Sequence, residues 1–430
     1  MTESLRNLDQ QALTAMEQAL TKEFSLLSGN AMALDLSRGK PAADQLSLSE
    51  PMEDMLNGDY RSADGTDLRN YGGARGIPEA RELGAQLLGV PAEFVVAGGN
   101  SSLNLMYLVV NLALQQGLWG DNRRWSNVDT PTLLTPVPGY DRHFALTAAL
   151  NIKMHNIPML KDGPDIDACL RTARENPEIK GIWCVPKYSN PTGNTYTEAT
   201  VDALARLPKE AAADDFVVLW DNAYAVHHLN NEGEALASIF DAAQHHGTEA
   251  HVVQFASTSK ITFAGAGVAF IASAERVLAN IVSHLSFMTI GPDKVNQLRH
   301  ARFLNGRLRE HMQDHAALLR PKFDIVQRRL EEDLGGLGIA EWTNPVGGYF
   351  VSLDVLDGLA SEIVQLAKQV GLTLTPAGAT YPHGNDPQDR NVRIAPTFAE
   401  LEDLEAAMHV LTLCVKLAST RKLIAEKMHG

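Results

Sequence analysis

The chain has 430 residues, more than one compact hydrophobic core usually organises, so we expect two domains. Its net charge of −15 disfavours nucleic acid and anionic membranes as partners, and an anionic ligand would need locally placed cations. Three widely spaced cysteines, an N-terminus unlike a signal peptide and the lack of a long apolar run favour a soluble, cytoplasmic protein without a metal site.

An N-terminal helix is predicted over residues 5–27, where apolar side chains recur at helical spacing. It leads through a short extended segment, 33-ALDLS-37, into 38-RGKP-41. A glycine-bearing loop follows over residues 57–76, and loops of this length are more often functional or disordered than merely connecting.

From residue 77 onward, helical stretches alternate with short apolar, β-branched runs. The runs are FVVAGG at 94–99, TLLTPV at 132–137, IKMHNIP at 152–158, GIWCVP at 181–186, FVVLWD at 216–221, VVQFAS at 252–257 and GVAFIAS at 267–273. The helical stretches are 77–89, 101–116, 165–175 and 197–213. Apolar strands that alternate with helices indicate an α/β fold with a mostly parallel sheet covered on both faces.

The pattern changes near residue 275. A long helical region over 275–333 is followed by strand-like segments at 341–354 and 372–378 and by helices near 359–370 and 398–424. These elements and the N-terminal arm predict a smaller α+β unit. We therefore expect a large domain at residues 51–300 and a small domain made of residues 1–50 and 301–430.

Polar side chains follow four of the predicted strands at the point where each strand ends. They are Asn100, Ser101 and Ser102, then 187-KYSNPTG-193, then Asp221 and Tyr224, and finally Thr258, Ser259 and Lys260. Ligands of an open parallel sheet bind beyond the carboxyl ends of its strands. We therefore expect these four groups to form one site.

Each group suits one part of a pyridoxal phosphate site. A glycine turn into a helix start offers backbone N–H groups to a phosphate, although Asn and Ser there are also ordinary helix caps. Asp221 could be a cap or an ion-pair partner, but beside a cationic heterocycle it would be stabilised in its charged form. Lys260 becomes a nucleophilic amine if it is desolvated, whereas an isolated lysine usually lies on the surface. Together the three features favour pyridoxal phosphate.

Eight motifs occur in a fixed order along the chain: SRGKP at 37–41, Tyr71, GGNSS at 98–102, PGY at 138–140, NPTG at 190–193, DNAY at 221–224, STSK at 257–260 and RIAPTF at 393–398. This set resembles the fold type I, class I aminotransferases, the group that contains aspartate aminotransferase. The resemblance covers residues 33 to 400. It implies that fold, a pyridoxal 5′-phosphate cofactor, amino acid and 2-oxo acid substrates, and a homodimer with shared active sites.

The resemblance implies roles for single residues around the cofactor ring. Lys260 matches the lysine that forms the Schiff base and moves a proton between the substrate Cα and the cofactor C4′. Asp221 matches the partner of the pyridine nitrogen, and Tyr224 and Asn190 match the partners of the phenolic oxygen. Tyr140 stands where an aromatic ring stacks on the cofactor.

Further roles concern the phosphate and the substrate. The implied phosphate ligands are Asn100, Ser101, Ser102 and Ser257. Tyr71 matches a tyrosine that reaches the phosphate of the neighbouring subunit, Arg393 matches the arginine that binds the substrate α-carboxylate, and Gly39 lies in the loop that closes over it. Val268 departs from the family, which usually has a phosphate-binding arginine near this position. This departure indicates a divergent, aspartate aminotransferase-like branch.

The favoured reaction is transamination between L-aspartate and 2-oxoglutarate, which gives oxaloacetate and L-glutamate. Arg38, Lys40 and Arg142 are candidates for binding a distal substrate carboxylate. The alternatives are a pyridoxal phosphate-dependent lyase or decarboxylase, and a non-catalytic effector-sensing domain. The last is disfavoured, because residues 1–32 are too short for a winged-helix DNA-binding domain and the chain is acidic. His143, three residues after Tyr140, could lie near the cofactor, but a structural role is favoured for it. His227 and His228 are expected to lie outside the chemistry.

Overall fold

An eight-stranded sheet forms the centre of the fold in a computed structural model, which describes residues 4–28, 33–230 and 233–429. The strands of the chain are β1 (Leu34–Asp35), β2 (Val95–Ala97), β3 (Thr132–Val137), β4 (Lys153–Leu160), β5 (Gly163–Pro164), β6 (Ile179–Cys184), β7 (Val217–Asp221), β8 (Val252–Ser257), β9 (Ala269–Ala272), β10 (Ala340–Trp342), β11 (Val351–Val355), β12 (Leu372–Thr373) and β13 (Asn391–Ile394). The order in the large sheet is β2-β9-β8-β7-β6-β3-β4-β5.

The helices follow the predicted alternation with the strands. They are α1 (Gln10–Ser28), α2 (Ala43–Ser47), α3 (Pro78–Leu88), α4 (Ser102–Gln115), α5 (Asp141–Ala149), α6 (Ile166–Glu175), α7 (Glu198–Glu210), α8 (Ile239–His246), α9 (Glu275–Thr289), α10 (Lys294–Leu304), α11 (Leu308–Leu334), α12 (Ala360–Gln369) and α13 (Leu401–His429). The helical region expected over 275–333 is divided into α9, α10 and α11. One break falls at Gly291 and Pro292, because proline lacks the N–H that a helix interior needs.

The α/β prediction with a mostly parallel sheet is confirmed. Strands β4, β3, β6, β7 and β8 run parallel to one another, whereas β5 is antiparallel to β4 and β9 is antiparallel to both β8 and β2. Side chains of β7 alternate between the two faces. Val217 and Leu219 pack in the cluster that includes α4 and α9, and Val218 and Trp220 pack in the cluster that includes α6 and α7. By the same alternation, Asp221 lies on the face of the sheet that carries Val217 and Leu219.

A second group of elements forms the expected smaller α+β unit. Strands β10, β11 and β13 make an antiparallel sheet, and β1 pairs with β12. Helix α11 joins this unit to the large sheet, because Met312 near its start packs with Phe270 of β9, whereas Leu319 and Phe323 pack with β11 and β13. We propose the division at residues 50 and 300 on this basis.

The three cysteines are buried and free of disulfides, and burial raises the pKa of the Cys169 thiol to about 12. Within the described ranges, no helix combines the length and the apolar character that crossing a membrane requires. The same residues contain no cluster of three or more His, Cys, Asp and Glu side chains that could hold a metal ion.

Replacing Leu219 with alanine should lower the free energy of unfolding by about 2–5 kcal/mol, because Leu219 is 0% exposed in a central strand and the change leaves a cavity. Leu26→Ala is the matched control, since Leu26 is 68% exposed and its loss should change stability by less than about 0.5 kcal/mol. Urea denaturation of both variants measures the difference. Equal stability of the two variants would contradict this view of the core.

Candidate functional site

One cavity lies at the carboxyl ends of β6, β7 and β8 and at the start of α4. Most of the residues predicted for the site line it: Ser102, Tyr140, Asn190, Asp221, Tyr224, Ser257 and Lys260. Leu103, Val185 and Ala223 complete the lining. The structure thus brings together side chains from four separate strand ends, as the parallel sheet predicts.

Lys260 follows β8 and directs its amine toward this cavity. Its Nζ lies 4.9 Å from the ring centroid of Tyr224 and makes no hydrogen bond or ion pair with any of the described residues. Burial lowers the pKa of Lys260, the Asp221 carboxylate opposes this shift, and Arg393 adds to it. An amine of this kind is less often protonated than a surface lysine and is a better nucleophile.

Asp221 ends β7 and is 2% exposed. Its Oδ2 accepts a hydrogen bond of 3.0 Å from His143 Nε2, and its Oδ1 is buried without a hydrogen-bond partner among the described residues. The His143 ring stacks on Trp183 at 4.2 Å. A buried carboxylate oxygen without a donor is costly, so this position suits a ligand that carries an N–H. His143 therefore contacts a predicted site residue directly, which its expected structural role did not include.

Tyr140, Tyr224 and Asn190 form the walls between these two groups. Tyr224 and Asn190 are 2% and 3% exposed. Burial raises the pKa of both tyrosines, so their hydroxyl groups remain protonated at neutral pH. Tyr140 packs edge-on against the His143 ring at 4.9 Å.

Arg393 lies in β13 beside the cavity, and its side chain is 8% exposed. Its Nη1 donates to Asp141 Oδ1 at 2.9 Å and to Asn190 Oδ1 at 3.3 Å, and its Nη2 donates to Thr375 Oγ1 at 3.3 Å. Its Nε is buried and has no partner among the described residues. Asp141 was not predicted, although it directly follows Tyr140 in the sequence.

Position 39 needs a glycine because its backbone lies very close to an aromatic ring. A Cβ atom at this position would lie 2.1 Å from Phe350 Cζ, so any larger residue would displace the Phe350 ring. The Phe350 ring in turn lies 4.8 Å from the Arg393 guanidinium carbon. Gly39 therefore lets the 38–41 segment reach the ring that supports Arg393.

The start of α4 carries polar groups, and the Ser101 hydroxyl among them has no hydrogen-bond partner among the described residues. Ser101 occupies the N-cap position, but its side chain makes no capping hydrogen bond, so capping does not explain this serine. Asn100 Nδ2 donates to Gly265 O at 3.1 Å, and Ser259 Oγ donates to Asn100 O at 3.4 Å. The α4 N-terminus thus presents hydroxyl and N–H groups at a positive dipole end.

Position 268, which lies near Asn100, carries a buried valine and not a cation. It is 2% exposed, its side chain packs in the cluster with Phe270, and its N–H donates to Thr258 Oγ1 at 2.9 Å. Tyr71 does not line the cavity and is 78% exposed. Tyr71 is therefore the predicted site residue that lies apart from the others in the single chain.

A family model, a sequence relative and a solved structure that resemble this chain are all described as aspartate aminotransferases. A family model described as aspartate amino-transferase matches residues 8–427. The aspartate aminotransferase of Corynebacterium glutamicum is 43% identical over 97% of this chain and 96% of its own length. A crystal structure of an aspartate transaminase from that organism superposes with a TM-score of 0.93, at 42% identity, and covers 98% of this chain and 100% of that one.

A more distant structure shares the fold. The α-aminoadipate aminotransferase of Thermus thermophilus, solved with N-(5′-phosphopyridoxyl)-L-leucine, has a TM-score of 0.73 at 21% identity. The superposition covers 92% of this chain and 93% of that chain. The arrangement of strands and helices is therefore retained where most of the sequence has changed.

Proposed function

Because this chain belongs to the aspartate aminotransferase family, we propose that it transfers the amino group of L-aspartate to 2-oxoglutarate, with oxaloacetate and L-glutamate as products. The observation that carries the proposal is the unpaired Lys260 amine, which shares a cavity with the unpartnered Oδ1 of Asp221. The name of the Corynebacterium glutamicum relative supports the choice of substrates. The relatives compared above are aminotransferases, which disfavours a lyase, a decarboxylase or an effector sensor.

The cofactor is pyridoxal 5′-phosphate, and the residues of the cavity fit its chemical groups. The amine of Lys260 is available for covalent attachment, and Asp221 Oδ1 is available for a protonated ring nitrogen. Tyr140 can face the ring, and Asn190 and Tyr224 can donate to the phenolic oxygen. When bound, the cofactor accepts the electron pair that remains when the substrate loses its Cα proton.

We assign the phosphate group to the start of α4 and the end of β8. The proposed ligands are Asn100, Ser101, Ser102 and Ser257. Hydroxyl groups and backbone N–H groups at a helix N-terminus can hold a phosphate without an adjacent arginine. This arrangement is consistent with a buried valine at position 268.

Lys260 and Asp221 divide the proton chemistry between them. Lys260 takes the proton from the substrate Cα, for which its lowered pKa leaves more of the amine unprotonated. Asp221 Oδ1 would accept a hydrogen bond from a protonated ring nitrogen, and His143 keeps the carboxylate oriented through Oδ2. The buried position of both groups limits the access of water.

Arg393 is proposed to bind the substrate α-carboxylate. Its free Nε and its planar guanidinium suit a carboxylate, and Asn190 and Phe350 hold the group in place. Gly39 leaves room for the neighbouring loop to approach this position. Arg38, Lys40 and Arg142 remain candidates for the distal carboxylate of aspartate.

A homodimer with shared sites is proposed from the exposed apolar side chains near Tyr71. Phe287, Met288 and Ile290 are 70%, 58% and 55% exposed at and just beyond the end of α9. The Gly72 backbone packs against Gly291, so Tyr71 is one residue from a contact with the segment that carries these side chains. Neighbouring exposed apolar side chains of this kind are typical of a subunit interface. Tyr71 would then reach the phosphate of the partner subunit.

The purified protein should form L-glutamate and oxaloacetate from L-aspartate and 2-oxoglutarate, and Lys260→Ala should lower kcat about 10³-fold or more by removing the base. The cofactor absorption of the wild type should also bleach when aspartate is added. Coupled assay of oxaloacetate measures the rate. A wild type that binds the cofactor but reacts only with a different amino donor would contradict the substrate assignment.

Shared sites should allow two defective variants to complement each other. A hybrid of Lys260→Ala and Tyr71→Ala subunits contains one site in which both Lys260 and the partner's Tyr71 are intact. Mixing and refolding the two variants together should therefore restore activity above that of either variant refolded alone. If each Tyr71 served its own subunit, every site would carry one defect and no activity would be regained.

A further inference from the structure

Histidine rings hold the backbone at and just after Lys260. His227 Nε2 lies 3.2 Å from the carbonyl oxygen of Lys260. His311 Nε2 and His315 Nε2 lie 2.7 Å and 2.9 Å from the carbonyl oxygen of Ile261, which both rings share, and 3.2 Å from each other. All three rings are at least 94% buried. Two consecutive carbonyl groups of the catalytic segment thus face imidazole nitrogens from two different parts of the chain.

The hydrogen-bond network determines which nitrogen of His315 carries the proton. Gln45 Oε1 accepts from Ala42 N, so the amide nitrogen of Gln45 faces His315 Nδ1 at 3.3 Å. Since that amide nitrogen is a donor, His315 Nδ1 must be the acceptor, and Nε2–H then donates to Ile261 O. Gln45 also donates to the Tyr349 hydroxyl at 3.0 Å, and that hydroxyl donates to Lys260 O at 3.3 Å.

A fourth histidine, His300, contacts the side chain of the following residue, Thr262. The Thr262 hydroxyl lies 2.8 Å from His300 Nε2, and His300 Nδ1 lies 2.9 Å from the carbonyl oxygen of Asn296. Because a carbonyl oxygen only accepts, Nδ1 carries the proton and Nε2 accepts from the threonine. Three consecutive residues, 260 to 262, are therefore bonded to histidine rings.

Two of the rings, His315 and His300, must be uncharged for this network to exist, because each accepts a hydrogen bond at one nitrogen. Burial lowers the pKa of His315 and of His300 to about 4, and that of His227 to about 3. A second proton on His315 would place an N–H against the Gln45 amide donor. Neutral imidazoles satisfy the two carbonyl oxygens without adding a positive charge beside the Lys260 amine, which arginine or lysine donors would do.

We propose that His227, His311 and His315 are positioning residues that fix the backbone of Lys260 through uncharged hydrogen-bond donors. The inference rests on the proposed function, in which the Lys260 amine must move between attachment to the cofactor and proton transfer at the substrate. A side chain that moves about a fixed Cα stays within reach of the reacting atoms. A shift of that Cα by a fraction of an ångström removes this alignment.

Charged and titratable groups surround the cluster from each neighbouring element and affect its pH response. They are Asp44 in α2, Asp293 and Arg299 in α10, Arg307 and Asp314 at α11, His228 beside His227, and Asp221 and Arg393 across the amine. Since the pKa of each buried ring is lowered from 6.5, the unfolded chain takes up protons first as the pH falls. These rings should therefore leave the free energy of unfolding unchanged at pH 7 and lower it progressively as the pH falls below 6.5.

The test compares His311→Met and His227→Met, which remove a donor to the catalytic segment, with His311→Gln, which retains an N–H. In the holoenzyme, the methionine variants should lower kcat about tenfold while the KM for the amino donor changes less than about twofold. The pH midpoint of the cofactor's visible absorption should also shift, because the Lys260 amine changes its position. The glutamine variant should recover part of both losses.

His251→Met is the matched control. His251 Nδ1 also donates to a backbone carbonyl, that of Phe216 at 2.8 Å, and burial lowers its pKa, but it lies at the opposite end of β8 from Lys260. This variant should lower Tm and leave kcat and the absorption midpoint unchanged. If His311→Met and His227→Met behave like His251→Met, the three histidines are merely structural and the proposal is wrong.

A measurement on the unaltered protein covers the case in which the variants do not fold. NMR titration of histidine-labelled holoprotein should show the rings of the cluster uncharged from pH 8 down to about pH 5. Titration of any of them near 6.5 would overturn the proposal. A wild type without transaminase activity would instead refute the proposed function, and the NMR result would still report on the cluster.

Discussion

A buried amine and a buried carboxylate face one cavity without forming an ion pair with each other. Lys260 has no charged partner among the described residues, and Asp221 receives one hydrogen bond, from His143, while its second oxygen has no donor. Removing such groups from water costs several kcal/mol for each ion. The fold sustains this arrangement because both groups follow strands of a well-packed parallel sheet, and a cofactor with a carbonyl carbon and a ring N–H can satisfy both.

The sheet determines how the groups meet. Asp221 is in register with Phe255 on the neighbouring strand, so the ends of β7 and β8 lie side by side. The start of α4 delivers Ser102 to the same cavity, and β6 leads to Asn190. Arg393 arrives from the smaller α+β unit, and Asn190 contacts it directly. The cavity and the arginine thus connect the two parts of the chain.

Much of this arrangement could be predicted from the sequence, because buried parallel strands appear as short apolar runs and the polar residues that follow them share one edge. The absence of a cation at position 268 was also visible, and the structure explains it by the packing of Val268 with Phe270. The contacts of His143 with Asp221 and of Asp141 with Arg393 could not be predicted. They join residues 78 and 252 positions apart, and no local pattern records such pairs.

The contacts of the histidines near Lys260 could not be predicted from the sequence either. His227 was expected outside the chemistry, and the bonds of His311 and His315 to Ile261 span 50 and 54 positions. Helical spacing accounts for the adjacency of His311 and His315, but only the tertiary structure shows that both rings face one carbonyl group. In the proposed account, the position of Lys260 thus depends on side chains that the local motifs do not contain.

The most direct test of the central claim locates the covalent attachment of the cofactor. Reduction of the holoprotein with sodium borohydride, followed by peptide mass spectrometry, should place a phosphopyridoxyl group on the Nζ of Lys260. Labelling of another lysine, such as the buried Lys187, or no labelling of a cofactor-saturated protein, would contradict the assignment of Lys260 as the residue on which the site depends.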